Sequence, residues 1–152
     1  MNSSLTQLIE WGNYSSQPLT EQQIHAYRDY VDWQIICIFQ KLSQSFIAEH
    51  SEYVCWDLVS EYQTLSEPFI EQHRNKVQWS AISQYQTLSE PFIEQHRDCV
   101  DWFWISKHQT LSESFIEQHL GYVYWYHIIK YQQLSTSFKH KYKSHFTRKR
   151  RL

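Results

Sequence analysis

Glycine, proline and cysteine are scarce in this chain of 152 residues, which has 2 Gly, 3 Pro and 3 Cys. So few glycines leave little room for tight β-hairpin turns or glycine-rich phosphate loops. The three cysteines show no CxxC spacing, so we expect free thiols in a reducing compartment and neither a disulfide framework nor a zinc knuckle. No basic and apolar leader opens the chain, and no apolar run approaches the length of about 18 residues that spans a membrane. Secretion and membrane insertion are therefore not expected.

Aromatic residues are abundant instead, with 7 Trp, 11 Tyr and 8 Phe, and they recur at a fixed interval. The segment YQTLSEPFIEQHR occupies residues 62–74 and, unchanged, residues 85–97. A period of 23 residues relates these copies, and Leu, Val, Phe and His positions follow the same period. Internal repetition of this length is typical of solenoid proteins. The period is clearest in five tryptophans: Trp33, Trp56, Trp79, Trp102 and Trp125.

Each repeat carries the start signals of two short helices. Ser66 can cap a first helix over about residues 67–74, with proline in the first turn and Leu65 and Ile70 placed as a hydrophobic staple. Asp101 can cap a second helix over about residues 102–109 in the same way. The sequence therefore predicts one helical hairpin per repeat.

Helices of about eight residues do not persist alone in water, so each hairpin must bury its apolar side against its neighbours. The sequence predicts an all-α protein, an α-solenoid of short two-helix hairpin repeats with a period of 23 residues. We assign residues 1–18 to an N-terminal cap and residues 19–134 to about five repeats. Residues 135–152 are assigned to a C-terminal capping helix and a basic tail. The tryptophans, in fixed company with Val and Ile, are expected in the core.

A resemblance rests on residues 88–106, which read LSEPFIEQHRDCVDWFWIS. The pattern LSxxFIxxxxxxVxWxxIS, preceded by YQ, resembles short tandem helical repeats in uncharacterised proteins of giant DNA viruses that infect amoebae and algae. It covers about residues 17–138. The resemblance implies a viral protein that acts inside a host cell, in the cytoplasm or nucleus or packaged in the virion, and it brings no established activity.

Charge is distributed unevenly along the chain. All 16 acidic residues lie at or before Glu117, whereas half of the 14 Lys and Arg lie in residues 139–152. Such a basic segment neutralises phosphates without reading sequence, or serves as a nuclear import signal. It could equally be a solvated terminus, or fold back on the acidic body. The candidate polyanion-binding or import residues are Lys139, Lys141, Lys143, Arg148, Lys149, Arg150 and Arg151.

A candidate protein-binding patch follows from comparing the repeats with one another. Phe103, Trp104, Tyr124 and Tyr126 lie near the fourth and fifth repeats, where earlier repeats have residues such as Asp57, Leu58, Ser80 and Ala81. The repeat frame is constant and these sites vary. An exposed aromatic cluster on a constant frame favours a partner-binding surface.

The repeated His and Glu residues do not point to catalysis or to a metal. Equivalent histidines in successive repeats are expected about 10 Å apart, the spacing of packed helices, whereas zinc needs nitrogens about 2.0 Å from the ion. The paired acids of the first helices sit in repeated environments, so we interpret them as a solvated acidic face. No catalytic residue, metal ligand or cofactor is predicted.

The sequence thus favours a non-enzymatic repeat scaffold that mediates protein–protein interaction. The alternative is a nucleic-acid-associated or virion protein that binds DNA or RNA through its basic tail. We expect a protein partner, with nucleic acid as a second option, and neither a membrane nor a small-molecule substrate.

Overall fold

The structure is a computed structural model that describes residues 15–147. This part of the chain contains twelve α-helices and no strand. The chain divides into two compact units, residues 1–78 and residues 79–152. In the first unit the helices are α1 (Glu21–Ala26), α2 (Trp33–Phe39), α3 (Gln44–Glu49), α4 (Trp56–Tyr62) and α5 (Glu67–Gln72). In the second they are α6 (Trp79–Tyr85), α7 (Glu90–Gln95), α8 (Trp102–His108), α9 (Glu113–Gln118), α10 (Trp125–Tyr131), α11 (Thr136–Lys141) and α12 (Lys143–Thr147).

Thr20 caps α1, and serine caps begin the first helix of each later hairpin, as the sequence predicts. The Ser66 hydroxyl accepts a hydrogen bond from the Phe69 amide, and a proline follows in the first turn of α5. This bond satisfies one of the amides that a helix start leaves without a partner inside the helix. The helix is shorter than the predicted 67–74, because at His73 the backbone leaves the helical conformation. The same cap is made by Ser43, Ser89, Ser112 and Ser135.

The second helix of a hairpin begins at the repeated tryptophan. The Asp101 carboxylate accepts from the Phe103 amide, so the predicted cap of α8 is confirmed and the helix ends one residue before the predicted 109. Cys55 and Tyr124 occupy the cap position of α4 and α10, and in the described chain neither side chain makes the cap bond. Two of the helices therefore depend on packing without a side-chain cap.

The core of each unit contains fully buried aliphatic side chains, one from each helix from α1 to α10. Each is the fourth residue of its helix. Complete burial of such a side chain contributes about 1.5–3 kcal/mol. These side chains are Ile24, Ile36, Ile47, Val59 and Ile70 in the first unit, and Ile82, Ile93, Ile105, Ile116 and Ile128 in the second.

The tryptophans differ from the prediction, because only Trp102 is buried and the other four keep part of the indole exposed. The Trp33 ring stacks on Phe46 of the next hairpin at 6.4 Å between centroids. Its Nε1–H donates to the Arg28 backbone oxygen at 2.9 Å. A buried indole N–H needs a hydrogen-bond acceptor, and the backbone oxygen of Arg28 provides it here. The tryptophans thus flank the core and the isoleucines form it.

Within each unit, a glutamine that follows the second helix of a hairpin joins this hairpin to the preceding repeat. Gln109 Nε2 donates to the backbone oxygens of Ser83 at 3.0 Å and Gln86 at 2.7 Å. Its Oε1 accepts from the Leu88 amide at 3.0 Å. Such a fully satisfied buried amide fixes the relative position of two elements. We call this arrangement the glutamine clamp, and its other observed members are Gln40, Gln63 and Gln132.

The predicted fold class is confirmed: the protein is an all-α solenoid of two-helix hairpins with a 23-residue period. Residues 15–17, within the predicted N-terminal cap, meet the first clamp, since Gln40 Nε2 donates to the backbone oxygens of Ser15 and Gln17. Residues 1–14 and 148–152 lie outside the described part of the chain. Between residues 15 and 147, no helix is both long and apolar enough to cross a bilayer.

Candidate functional site

The four predicted patch residues lie on the second unit, at the starts of α8 and α10. Phe103 meets Trp104 edge to face at 4.8 Å and Tyr124 at 5.5 Å between ring centroids. Tyr124 is 50% exposed and Tyr126 is 53% exposed, whereas Phe103 and Trp104 are half-buried. Three of the four rings therefore form one contiguous group.

His127 connects Tyr126 to that group, and the sequence analysis missed it. Its ring lies 4.4 Å from Phe103, 5.3 Å from Tyr126 and 5.7 Å from Tyr131. We call the rings of Phe103, Trp104, Tyr124, Tyr126, His127 and Tyr131 the aromatic patch. The available signal was a His where earlier repeats have Leu58 and Ala81.

His127 is 8% exposed, and its Nδ1 has no hydrogen-bond partner among residues 15–147. Burial is the main cause that lowers the pKa of His127, and the nearby Lys107 and Lys130 lower it further. A buried imidazole next to two cations resists protonation. The neutral ring of His127 thus belongs to the apolar part of the patch at neutral pH.

Two lysines give the aromatic patch a positive charge. Lys107 Nζ lies 4.8 Å from the centre of the Trp104 ring, and Lys130 Nζ lies 5.0 Å from Tyr131 and 5.8 Å from Tyr126. Hydrogen bonding to Tyr131 is the main cause that raises the pKa of Lys130. Cation–π contacts hold such lysines over the ring faces. Two cations therefore lie beside the rings of the patch.

The basic tail is only partly described. Lys139 and Lys141 on α11 and Lys143 on α12 are exposed. Lys141 Nζ lies 2.8 Å from a Glu117 carboxylate oxygen, which raises the pKa of Lys141. This pair gives the tail one contact with the acidic body. The remaining candidates, Arg148, Lys149, Arg150 and Arg151, lie outside the described residues.

The paired acids are not a uniformly solvated face, which corrects the sequence interpretation. The Glu90 carboxylate accepts from both the amide and the hydroxyl of Ser112, the cap residue of the next hairpin. Glu113 binds Ser135 in the same way. These acids link successive hairpins, because the cap serine has donors that the helix itself leaves free.

The repeated histidines lie between successive hairpins. His119 Nδ1 lies 2.8 Å from the Phe115 backbone oxygen, and its Nε2 lies 2.5 Å from a Glu94 carboxylate oxygen in the preceding hairpin. His50 in the first unit has the same Nδ1 contact, with the Phe46 oxygen at 3.0 Å. These contacts indicate a structural role for His119 between two successive hairpins.

One group of side chains departs from this repeat pattern. His25 Nδ1 lies 3.0 Å from His50 Nε2 and 3.5 Å from a Glu49 carboxylate oxygen. Within residues 15–147 these three are the group of His, Cys, Asp and Glu whose ligand atoms all lie within 4.8 Å of one another. The 23-residue period does not reveal this group, because His25 is 25 residues from His50.

The three cysteines are free thiols, as predicted. Cys37 is fully buried, and this burial raises the pKa of its thiol to about 11. A thiol that stays protonated at neutral pH is a poor nucleophile and metal ligand. Cys55 is half-buried and Cys99 is exposed.

Comparison of the chain with protein-family models, with curated proteins and with solved structures finds no match. The resemblance to viral helical repeats therefore stays a prediction. The function must be argued from the surface of the protein itself.

Proposed function

We propose that the protein is a non-enzymatic scaffold that binds a protein partner through the aromatic patch on its second unit. The observation that supports this is the six-ring group around His127, with Lys107 and Lys130 over its ring faces. Contiguous exposed aromatic surface is uncommon on soluble proteins and marks interaction sites. Tyr and Trp also dominate the energetics of protein interfaces.

The patch positions vary between repeats, whereas the positions that build the fold do not. Core and clamp residues recur every 23 positions, whereas the patch positions change from one repeat to the next. Phe103 corresponds to Asp57 in the second repeat and to Ser80 in the third. Because the stack does not require aromatic residues there, their presence supports a role outside folding.

The chemistry of the patch indicates the kind of partner. Exposed tyrosines offer apolar faces with hydroxyl groups, and two lysine ammonium groups lie beside them. A segment that places an apolar side chain on the rings and carboxylates near Lys107 and Lys130 would satisfy both features. The proposed partner is therefore a protein with an acidic, apolar segment.

The test is affinity purification of the tagged full chain, compared between wild type and the double variant Trp104→Ala/Tyr126→Ala. Both side chains are at least partly exposed and outside the core, so we expect the variant to fold. We expect partner proteins enriched by the wild type to be lost from the variant, and their binding to be measurable with purified components.

The matched control is Tyr85→Ala, which removes an exposed tyrosine of the same unit at a distance from the patch residues in sequence. It should retain the partners that the double variant loses. Recovery of the same partners, with the same affinity, by the double variant would contradict the proposed role of the patch.

The second candidate is binding of DNA or RNA through the basic tail, supported by exposed Lys139, Lys141 and Lys143 together with the basic residues that follow. Neutralising all seven tail cations to glutamine should abolish binding of a labelled oligonucleotide. It should also flatten the dependence of affinity on salt. Lys107→Gln is the control, and unchanged affinity in the tail variant would exclude this function.

The resemblance to viral helical repeats suggests where in the cell either function would take place. A scaffold that acts in the host cytoplasm or nucleus, or inside the virion, would meet its partner in a reducing environment or during assembly. Free thiols are compatible with such a setting.

A further inference from the structure

We propose that His25, Glu49 and His50 form a Zn²⁺ site in the first unit. His25 lies on α1, Glu49 is the last residue of α3, and His50 follows it. The three ligand atoms are His25 Nδ1, Glu49 Oε1 and His50 Nε2. The site is independent of the aromatic patch, which lies on the second unit.

The hydrogen bonds of His50 fix which nitrogen can bind a cation. His50 Nδ1 lies 3.0 Å from the Phe46 backbone oxygen, which can only accept, so Nδ1 carries the proton. In the neutral ring, Nε2 then has the free lone pair, and it points at His25 Nδ1. Metal-bound histidines usually donate their other N–H to a carbonyl or carboxylate in this way. Because His50 is 2% exposed, its ring is held in that orientation.

The distances match zinc coordination. Two ligands that are each ~2.0–2.1 Å from a tetrahedral zinc ion lie about 3.3 Å apart, and the two nitrogens here are 3.0 Å apart. Without metal, His25 Nδ1–H donates to His50 Nε2, and zinc would take the place of that shared proton. The Glu49 side chain is 62% exposed, so a change of rotamer can bring its carboxylate to the ion.

Two imidazoles and one carboxylate, with water in the fourth position, are a common zinc ligand set. Mg²⁺ and Ca²⁺ prefer sets made only of oxygen ligands. The site also has an entry path, since an open surface depression lined by Glu21, Gln22, His25, Phe46 and Glu49 lies beside it. Its two carboxylates favour approach of a cation.

The repeat pattern explains why this site occurs once in the described chain. The residue 25 positions before a repeated histidine is His25 for His50 and Glu94 for His119. In the later pair the carboxylate binds His119 Nε2 directly, so a second imidazole is missing. Only His50 has both a histidine 25 residues before it and a glutamate, Glu49, directly before it. The other repeated histidines follow a glutamine. The site therefore arises from one departure from the repeat.

Zinc at this position would join α1 to the hairpin that contains α3. Metal binding to the folded state alone raises stability with increasing metal concentration. The inferred role is thus structural: it fastens the first described hairpin to the next one.

The test is calorimetric titration of the metal-free full chain with Zn²⁺, together with thermal unfolding in zinc and in chelator. We expect saturable binding and a melting temperature that rises with zinc. His25→Gln keeps a donor for His50 but removes a ligand. This variant should weaken zinc binding at least ~10-fold. Changing a residue that only hydrogen-bonds a metal ligand already costs about that much affinity, and here a ligand itself is removed. Glu49→Gln should weaken binding as well, and Mg²⁺ should not compete.

His108→Gln is the matched control, because His108 is an exposed histidine of the second unit. It should bind zinc like the wild type. Circular dichroism confirms that each variant is folded before titration. Wild-type affinity in folded His25→Gln, or no zinc binding by the wild type, would overturn the assignment. Co²⁺ gives an independent readout, since the absorption of a tetrahedral site should appear in the wild type and in His108→Gln only.

Discussion

In two of the repeated histidines, the Nε2 atom contacts the residue 25 positions earlier in the sequence. His119 meets Glu94, and His50 meets His25. For His73 the corresponding residue is Ala48, and within residues 15–147 its buried Nε2 has no hydrogen-bond partner. Burial, followed by the charge of Lys76, lowers the pKa of His73. This imidazole is thus a weak point in the first unit.

Ala48→Glu should stabilise the protein, because it supplies the carboxylate that Glu94 supplies to His119. The expected gain is about 1 kcal/mol, the net contribution of a typical hydrogen bond. It should be largest near pH 6, where the carboxylate can pair with a protonated His73. Urea unfolding of the wild type and the variant measures the difference.

A double-mutant cycle with His73→Leu separates this pair from the general effect of a new glutamate. In the His73→Leu background, Ala48→Glu should bring no gain. An equal gain in both backgrounds would show that the glutamate acts through another contact.

At the scale of elements, the hairpins are joined by contacts that reach back into the preceding repeat. The three bonds of Gln109 span 21, 23 and 26 residues of sequence. Glu90 and Glu113 add links on the helix caps. The short helices thus depend on partners in other repeats, which agrees with the instability of isolated helices of this length.

Gln109→Leu should destabilise the second unit strongly. The substitution removes three hydrogen bonds and leaves one amide and two carbonyl groups buried without their partner, so the expected loss is roughly 2–4 kcal/mol. Gln118→Leu is the matched control, because Gln118 is exposed at the end of α9, and its effect should stay within about 0.5 kcal/mol. Denaturant unfolding of both variants measures the losses, and similar values would argue against the clamp.

The elements that could be predicted are those with local causes. Ser66 and Asp101 cap their helices through bonds to amides two or three residues away, so the sequence alone predicted where α5 and α8 begin. The clamp could not be predicted in this way, because its partners meet only when repeats stack. Likewise, variation between repeats identified Phe103 and Trp104, whereas the link through His127 and the pair of His25 and His50 depend on three-dimensional contacts.

At the scale of the whole molecule, histidines with a lowered pKa make stability depend on pH. Burial is the main cause that lowers the pKa of His73, His108 and His127, and neighbouring lysines lower it further. In the unfolded chain each titrates near its ordinary value of about 6.5. Below that pH the unfolded chain binds protons that the folded chain binds less readily. Their contribution to stability is therefore present above about pH 6.5 and is lost as the pH falls.

The last prediction concerns the share of His127 in this acid sensitivity. His127→Leu replaces the imidazole with the residue found at the same repeat position, Leu58, so the side chain fits an apolar site and no longer titrates. Between about pH 7.5 and about pH 5.5, the variant should lose less unfolding free energy than the wild type. His140→Leu, at an exposed position on α11, should follow the wild type. Burial, and then the charges of Lys107 and Lys130, lower the pKa of His127. An equal loss in the wild type and in His127→Leu would therefore contradict a contribution of His127 to the acid sensitivity.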